Sequence, residues 1–329
     1  MRPFSILLKP VGSACNLSCK YCFYLEHERG VMSKEVLERL VSSYCELPFS
    51  EKSIALQGGE PLLAPSYIFD IISSAPIIRS IQTNATLITQ DFAERFARGS
   101  WLVGASIDGP EDLHKKMRGE SFQNAVNGIR LLEKANVDYN LLTVVSKANV
   151  SEPERLYRFL RDNFQTRFHQ YIECTGPYPE FAISGEEWGE FLVRLFDEWR
   201  KEDPRVISIR LFDSIVSSLF RGYPTQCSFS DACDHYLVVD FDGAVYPCDF
   251  FVEKSLRLGN IMENSWQEIL QSPKYLTFAN AKRSNLSDKC LNCPSYALCK
   301  GDCPRNRLTL CKGWQRFFNH AAPILAEML

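Results

Sequence analysis

The sequence predicts an α/β fold, in which a partial, open (β/α)6 barrel is followed by a cysteine-rich C-terminal domain. Three observations carry this. Short β-rich runs alternate with amphipathic helical segments six times in about 200 residues, a pattern that calls for parallel strands with right-handed helical crossovers. Six units are too few to close an eight-stranded barrel, and polar and glycine residues gather where the strands end, the end at which parallel barrels keep their chemistry. The alternation stops beyond Arg200, and a second group of cysteines begins at Cys227. The expected division is 1–203 for the barrel, 204–226 for a bridge and 227–329 for the cysteine-rich domain.

Each element has a local reason. The first strand is Phe4–Leu8, and it runs into the loop that holds Cys15, Cys19 and Cys22. Ser33 caps a helix through about Leu47, with Val36, Leu37, Leu40, Val41 and Tyr44 on one face. The strand Ser53–Leu56 ends at Gln57-Gly58-Gly59-Glu60-Pro61, and a helix follows over Ser66–Ser74. The strand Ile77–Gln82 leads to a turn at Thr83-Asn84-Ala85-Thr86 and a helix over Gln90–Arg98. The strand Leu102–Ile107 ends at Asp108-Gly109-Pro110, before a helix over Asn124–Lys134 and a strand over Tyr139–Val145. Ser151-Glu152-Pro153-Glu154 reads as a capping box with proline in the first turn, opening a helix to about Asn163. Arg167–Ile172 is the sixth strand, and Ser184-Gly185-Glu186-Glu187 is a second capping box, opening a helix to about Arg200. Pro204–Ile209 and Leu211–Leu219 form the bridge. Asp242-Gly243 reads as a hairpin turn between Tyr236–Phe241 and Ala244–Tyr246.

Composition narrows the function. The chain of 329 residues is 45% hydrophobic and 23% charged, as in an ordinary globular protein. Lys+Arg 37 against Asp+Glu 40 gives a formal charge of −3, so no basic field argues for nucleic acid. No apolar run is long enough to span a bilayer, and Met1-Arg2-Pro3 leads straight into a run too short for a signal sequence. A cytoplasmic location is expected. Thirteen cysteines in a reducing compartment point to metal binding rather than disulfides. Eleven of them cluster with ligand spacing; Cys45 and Cys174 do not, and Cys45 is read as a small buried hydrophobe. His27, His114, His169, His235 and His320 show no ligand spacing and are assigned to surface or core.

The run Cys15-x3-Cys19-x2-Cys22 places three soft ligands on one loop, which suits an iron–sulfur cluster. A cubane needs one ligand per iron, so three cysteines leave one iron open to a small molecule. The bland alternative is a zinc loop lacking its fourth ligand. Further on, Cys227, Cys233 and Cys248 precede Cys290-x2-Cys293-x5-Cys299-x3-Cys303 and Cys311. Eight cysteines make two sets of four, as two fully ligated 4Fe–4S clusters require. Spacing alone also leaves open a pair of structural zinc sites.

The loop from Cys15 to Tyr24 resembles the signature of radical S-adenosylmethionine (SAM) enzymes. The resemblance implies a TIM-like partial barrel in which SAM chelates the open iron through its amine and carboxylate. An electron from the cluster then cleaves SAM to methionine and a 5′-deoxyadenosyl radical, which abstracts a hydrogen atom. Gly58-Gly59-Glu60 resembles the family's GGE motif, whose backbone and carboxylate hold the SAM amine. Thr83, Asn84 and Ser106 resemble other positions on the SAM side. The later spacing resembles the SPASM extension of radical SAM maturases. It implies an inner auxiliary cluster on Cys227, Cys233, Cys248 and Cys303, and an outer one on Cys290, Cys293, Cys299 and Cys311.

A narrower resemblance covers nearly the whole chain. Cys22-Phe23-Tyr24, Gln57 to Pro61, Gln82-Thr83-Asn84, Ser106 to Pro110, Tyr246-Pro247-Cys248-Asp249, Leu258 to Ile261, Cys303-Pro304-Arg305 and Trp314 to Phe318 are similar to anaerobic sulfatase-maturating enzymes. Those enzymes oxidise a cysteine or serine of a sulfatase to Cα-formylglycine. The resemblance implies that Asp249 is the general base, taking the proton of the target thiol or hydroxyl in a closed peptide channel. It implies that Tyr24 and Gln57 orient the target side chain. The implied partners are a peptide segment of an unfolded sulfatase and an electron donor such as flavodoxin or ferredoxin. Three departures stand out: Ala85 replaces a usual glycine, only seven residues separate Cys303 from Cys311, and Thr175–Ile183 is abbreviated where a substrate would pass. The strand beginning by Phe4 leaves no room for an N-terminal domain that grips a leader peptide. The alternatives are a SPASM maturase that crosslinks a ribosomal peptide, an iron–sulfur electron carrier, and a zinc-stabilised interaction module.

Overall fold

The computed structural model describes residues 3–201 and 205–328. Six parallel strands, β1 (Phe4–Lys9), β2 (Lys52–Leu56), β3 (Ile78–Thr83), β4 (Leu102–Ser106), β5 (Tyr139–Val145) and β6 (Phe168–Glu173), lie side by side in chain order. Their registers are continuous: Leu8 pairs with Leu56, Leu56 with Ile81, Thr83 with Ala105 and Ser106 with Leu142. Helices α1 (Lys34–Cys45), α2 (Ser66–Ser74), α3 (Gln90–Arg98), α4 (Glu111–Arg118), α5 (Phe122–Lys134), α6 (Pro153–Asn163) and α7 (Gly185–Trp199) form the crossovers. Alternate strand residues such as Ile6, Leu8, Ile54, Leu56, Ile81, Val103 and Leu141 are fully buried in the core. This is the period-2 pattern of a sheet with one face covered by helices. The open (β/α)6 barrel is the fold that the alternation predicts.

Ser33 and Ser184 cap α1 and α7 as expected, and Ser184 with Glu187 completes a capping box. The box expected at Ser151 does not form. Glu152 is the N-cap of α6 and makes no side-chain cap bond, because Arg194 of α7 takes the Glu154 carboxylate at 2.7 Å and the Ser151 carbonyl at 3.1 Å. Helix α4 was not expected: its eight residues are mostly charged, and only Leu113, His114 and Met117 are buried. Cys45 is half-buried against the core rather than enclosed by it.

The barrel does not stop at α7. Strand β7 (Ser208–Ile209) pairs in parallel with β6 and leads directly into α8 (Arg210–Arg221), so the expected bridge is a short seventh unit. Its expected first residue, Pro204, lies outside the described residues. The hairpin of β8 (Tyr236–Asp240) and β9 (Ala244–Tyr246) forms as predicted, with Gly243 at φ +83° in the turn. Strand β8 then pairs in parallel with β1, Leu8 opposite Val239, and β10 (Gly259–Asn260) pairs with β9. The cysteine-rich segment therefore extends the barrel's own sheet. It continues as helices α9 (Trp266–Gln271), α10 (Pro273–Ser284), α11 (Asp288–Leu291), α12 (Tyr296–Cys299) and α13 (Cys311–Met328). Among the described residues no helix is long and apolar enough to cross a membrane.

Candidate active site

The loops after β1 and β2 are laid against one another by backbone bonds. Gly59 N donates to Gly12 O at 2.8 Å and Glu60 N to Ala14 O at 2.7 Å. The approach is so close that a Cβ on Gly59 would lie 2.0 Å from Ala14 O, and Gly58 adopts φ +124°. Only glycine meets both conditions.

Glu60 is fully buried. Its Oε1 accepts from Thr83 Oγ1 at 2.8 Å and Leu62 N at 3.0 Å, and its Oε2 accepts from Asn84 N at 2.8 Å. Burial pushes its pKa up to about 6, while these donors oppose the rise. The carboxylate thus locks the end of β3 in place, and the glycine backbones are what the loop offers to a ligand. Asn84 Nδ2 bonds Asn16 Oδ1 at 2.8 Å and lies 3.8 Å from Cys15 Sγ, which ties the same turn to the cysteine loop. Ala85 stands at φ +63°, the region that favours glycine, and is strained by about 1–2 kcal/mol.

A cavity of about 210 Å³ opens at this end of the sheet. Its wall contains Cys15, Cys19 and Cys22, then Gly58, Gly59 and Glu60, then Thr83, Asn84 and Ser106, and finally Tyr24, Gln57 and Asp249. The structure therefore brings together every residue predicted for the SAM side and for the target side chain. Gln57 Nε2 is buried without a hydrogen-bond partner, which is a donor left for a bound molecule.

Asp249 comes from the cysteine-rich segment, just after Cys248. Its partner was not foreseen from sequence. Lys9 Nζ lies 2.5 Å from Asp249 Oδ1, and Lys9 is buried. The same ammonium sits 3.8 Å from the centre of the Tyr24 ring, whose hydroxyl donates to Asp240 Oδ2 at 3.2 Å. Sequence reasoning missed Lys9 and Asp240; the only signal was that Lys9 ends β1 two residues beyond Leu7, on the face away from the helices. It also missed Arg118, which lines the cavity and bonds Asp108 Oδ2 at 2.7 Å beside Tyr21 Oη at 2.5 Å. Arg118 belongs to the unexpected helix α4.

At the rim, Thr175, Gly176 and Pro177 face Phe23 and Phe250 across a groove of about 750 Å³. Arg305 stacks over the Phe250 ring at 4.1 Å in this groove. This is the stretch that appears abbreviated in sequence.

The remaining cysteines surround two further cavities. Cys227, Cys233, Cys248 and Cys303 line one, and Cys290, Cys293, Cys299 and Cys311 line another. None of the thirteen cysteines forms a disulfide. Among the described residues no three His, Cys, Asp or Glu side chains converge on a site for a single ion. Each set of four instead encloses a space, which fits a cluster of several metal atoms. Polar groups approach the sulfurs as they do around iron–sulfur clusters: Tyr236 Oη lies 3.1 Å from Cys248 Sγ, and Gln315 Nε2 donates to Cys293 Sγ at 3.4 Å. Burial pushes the thiols of Cys248, Cys299 and Cys303 up to about 12, so metal binding there must release protons.

Comparison with known proteins adds an independent line. Residues 10–160 match the Radical SAM superfamily model, and residues 227–294 match an iron–sulfur cluster-binding domain, SPASM. The chain is 33% identical to the serine-type anaerobic sulfatase-maturating enzyme of Bacteroides thetaiotaomicron, over 99% of this chain and 91% of that one. It is 32% identical to the cysteine-type enzyme of Clostridium perfringens, over 100% and 99% of the two chains. The solved structure of native anSMEcpe with bound AdoMet and Cp18Cys peptide superposes with a TM-score of 0.92 at 31% identity, covering 99% of this chain and 98% of that one. Streptococcus suis SuiB bound to precursor peptide SuiA shares the fold, with a TM-score of 0.71 at 16% identity over 93% of this chain and 72% of that one.

Proposed function

Because the chain belongs to the anaerobic sulfatase-maturating enzymes of the radical SAM superfamily, we propose that it oxidises a cysteine or serine in a peptide segment of an unfolded sulfatase to Cα-formylglycine. One observation carries the reading: a single cavity joins the three-cysteine loop and the Gly58-Gly59 backbone to Asp249, Tyr24 and Gln57. In this reading Cys15, Cys19 and Cys22 hold the 4Fe–4S cluster that binds SAM. The two four-cysteine sets hold the auxiliary clusters, with the catalytic barrel of 1–203 continued by β7 and α8 and with 227–329 the cluster domain. When bound, the first cluster and SAM supply one-electron chemistry that removes a hydrogen atom from the target carbon.

The chain's own residues do the rest. Gly58 and Gly59 let the backbone approach the SAM amine, while Glu60 fixes Thr83 and Asn84 beside it. Gln57 Nε2 donates to the target side chain. Asp249 takes the thiol or hydroxyl proton, and the Lys9 ammonium, itself seated over the Tyr24 ring, holds that carboxylate at the cavity wall. A flavodoxin- or ferredoxin-type protein is the electron donor in this reading.

The test is anaerobic incubation of the reconstituted protein with SAM, dithionite and a leaderless peptide carrying Cys or Ser in a C/S-x-P/A-x-R context. Mass spectrometry should find a loss of about 2 mass units from Ser, two hydrogens, or of about 18 from Cys, the net of two hydrogens lost and sulfur exchanged for a water oxygen with release of hydrogen sulfide. A product joining two side chains, or unchanged peptide despite SAM cleavage, would overturn the proposal.

A further inference from the structure

We infer that Lys282 is the fixed counter-charge of the group held by Cys227, Cys233, Cys248 and Cys303, and that it raises the reduction potential of that group. The inference rests on the iron–sulfur reading above. Lys282 lies on α10 and is completely buried, an unusual place for an ammonium. Its Nζ donates to Cys227 O at 2.8 Å and Ser228 O at 2.7 Å, and its side chain forms part of the wall of the four-cysteine cavity.

Among the described residues no carboxylate forms an ion pair with Lys282. The buried carboxylate of Asp302 is near enough for its field to act on this lysine but makes no ion pair with it: Cys303 N donates to one oxygen at 2.6 Å and Trp314 Nε1 to the other at 2.8 Å. Two carbonyl dipoles do not repay the desolvation of a buried ammonium; an opposite charge close by does. Burial acts against the ammonium, and the fields of Cys233, Cys227, Asp302 and Cys303 oppose that effect; four thiolates on a 4Fe–4S core add the larger share of opposite charge.

The consequence for redox chemistry follows from sign alone. Reduction makes the cluster one charge more negative, so a fixed cation stabilises the reduced form more than the oxidised one. Net charge, burial and hydrogen bonds to sulfur are the levers on such potentials. Tyr236 Oη, 3.1 Å from Cys248 Sγ on the same cavity, acts in the same direction when it donates. The other auxiliary cavity carries Lys289, which is exposed and screened by water, and the half-buried Arg307, whose guanidinium donates to the carbonyls of Gly301, Asn285 and Lys282. The cluster beside Asp249 thus has a fully buried cation of its own, which favours its accepting an electron.

The test uses the full chain with Cys15, Cys19 and Cys22 replaced by Ala, so that only auxiliary clusters report. Midpoint potentials are measured by EPR-monitored titration with Lys282 intact and in Lys282→Met, Lys282→Gln and Lys282→Arg. In Met and Gln, one of the two auxiliary potentials should fall by at least a tenfold change in the reduction equilibrium, 59 mV for a one-electron couple. The Arg variant should keep the parent value. Gln retains a donor for the two carbonyls, so it separates charge from hydrogen bonding and covers the case in which Met loses its cluster. Unchanged potentials in iron-replete Gln or Met protein would overturn the inference. Stoichiometric zinc in place of iron in the parent would instead overturn the cluster reading itself.

Discussion

Asp249 and Lys9 show how a site residue acquires its character from a neighbour 240 positions away. Lys9 is fixed by β1, Asp249 by the turn after Cys248, and they meet at 2.5 Å because β8 pairs with β1. Asp249→Asn should still form 5′-deoxyadenosine but should lower formylglycine formation by about 10²–10⁴-fold, as expected when a general base is removed. Chromatography of the nucleoside and mass spectrometry of the peptide read the two events separately. Adding Lys9→Met to Asp249→Asn should cost little more, since residues acting as one unit are not additive. A Lys9→Met, Asp249→Asn double variant whose losses multiply would show that the two act independently.

Helices α7 and α13 form the clearest contact between elements far apart in sequence. Their crossing depends on glycine backbones: a Cβ on Gly313 would lie 2.2 Å from Gly185 O, and one on Gly189 would lie 2.7 Å from Gly313 Cα. Beside the crossing, Trp188 and Trp314 meet edge to face at 5.9 Å. Gly313→Val should therefore force the helices apart and destabilise the protein by about 1–3 kcal/mol or more, the cost of overpacking. Thermal unfolding of the reconstituted protein measures this, and an unchanged melting temperature would contradict so close a crossing. The two capping boxes teach a related lesson at this scale. Both Ser151 and Ser184 begin a sequence suited to capping, yet only Ser184 caps, because Arg194 holds Glu154 and the Ser151 carbonyl.

Across the whole molecule, one ten-stranded sheet carries both the barrel and the first hairpin of the cysteine-rich segment. All three cysteine sets therefore sit on a shared frame. Anaerobic reconstitution should load about twelve iron atoms per chain, four for each cluster. Replacing Cys15, Cys19 and Cys22 together with Ala should leave about eight and abolish reductive SAM cleavage. Metal analysis and 5′-deoxyadenosine release check the two parts. Persisting SAM cleavage in that variant would remove the basis of the proposed function.

The amino-acid sequence by itself determined the alternation of strands and helices, the capping of α1 and α7, the β8–β9 hairpin turn and the spacing of the cysteine runs. Each of these is a local pattern, readable within a few residues through side-chain periodicity or turn chemistry. Spacing alone did not say how eight later cysteines divide; the structure gathers Cys303 with Cys227, Cys233 and Cys248 around one cavity. Nor did it announce helix α4, whose charged face hides the arginine that reaches the cavity wall. The pairing of β8 with β1, the Lys9–Asp249 contact and the burial of Lys282 were decided by tertiary structure alone. A lysine in a strand or helix reads as solvent-facing until packing removes the water around it, and only the fold brings distant segments close enough to supply its counter-charge.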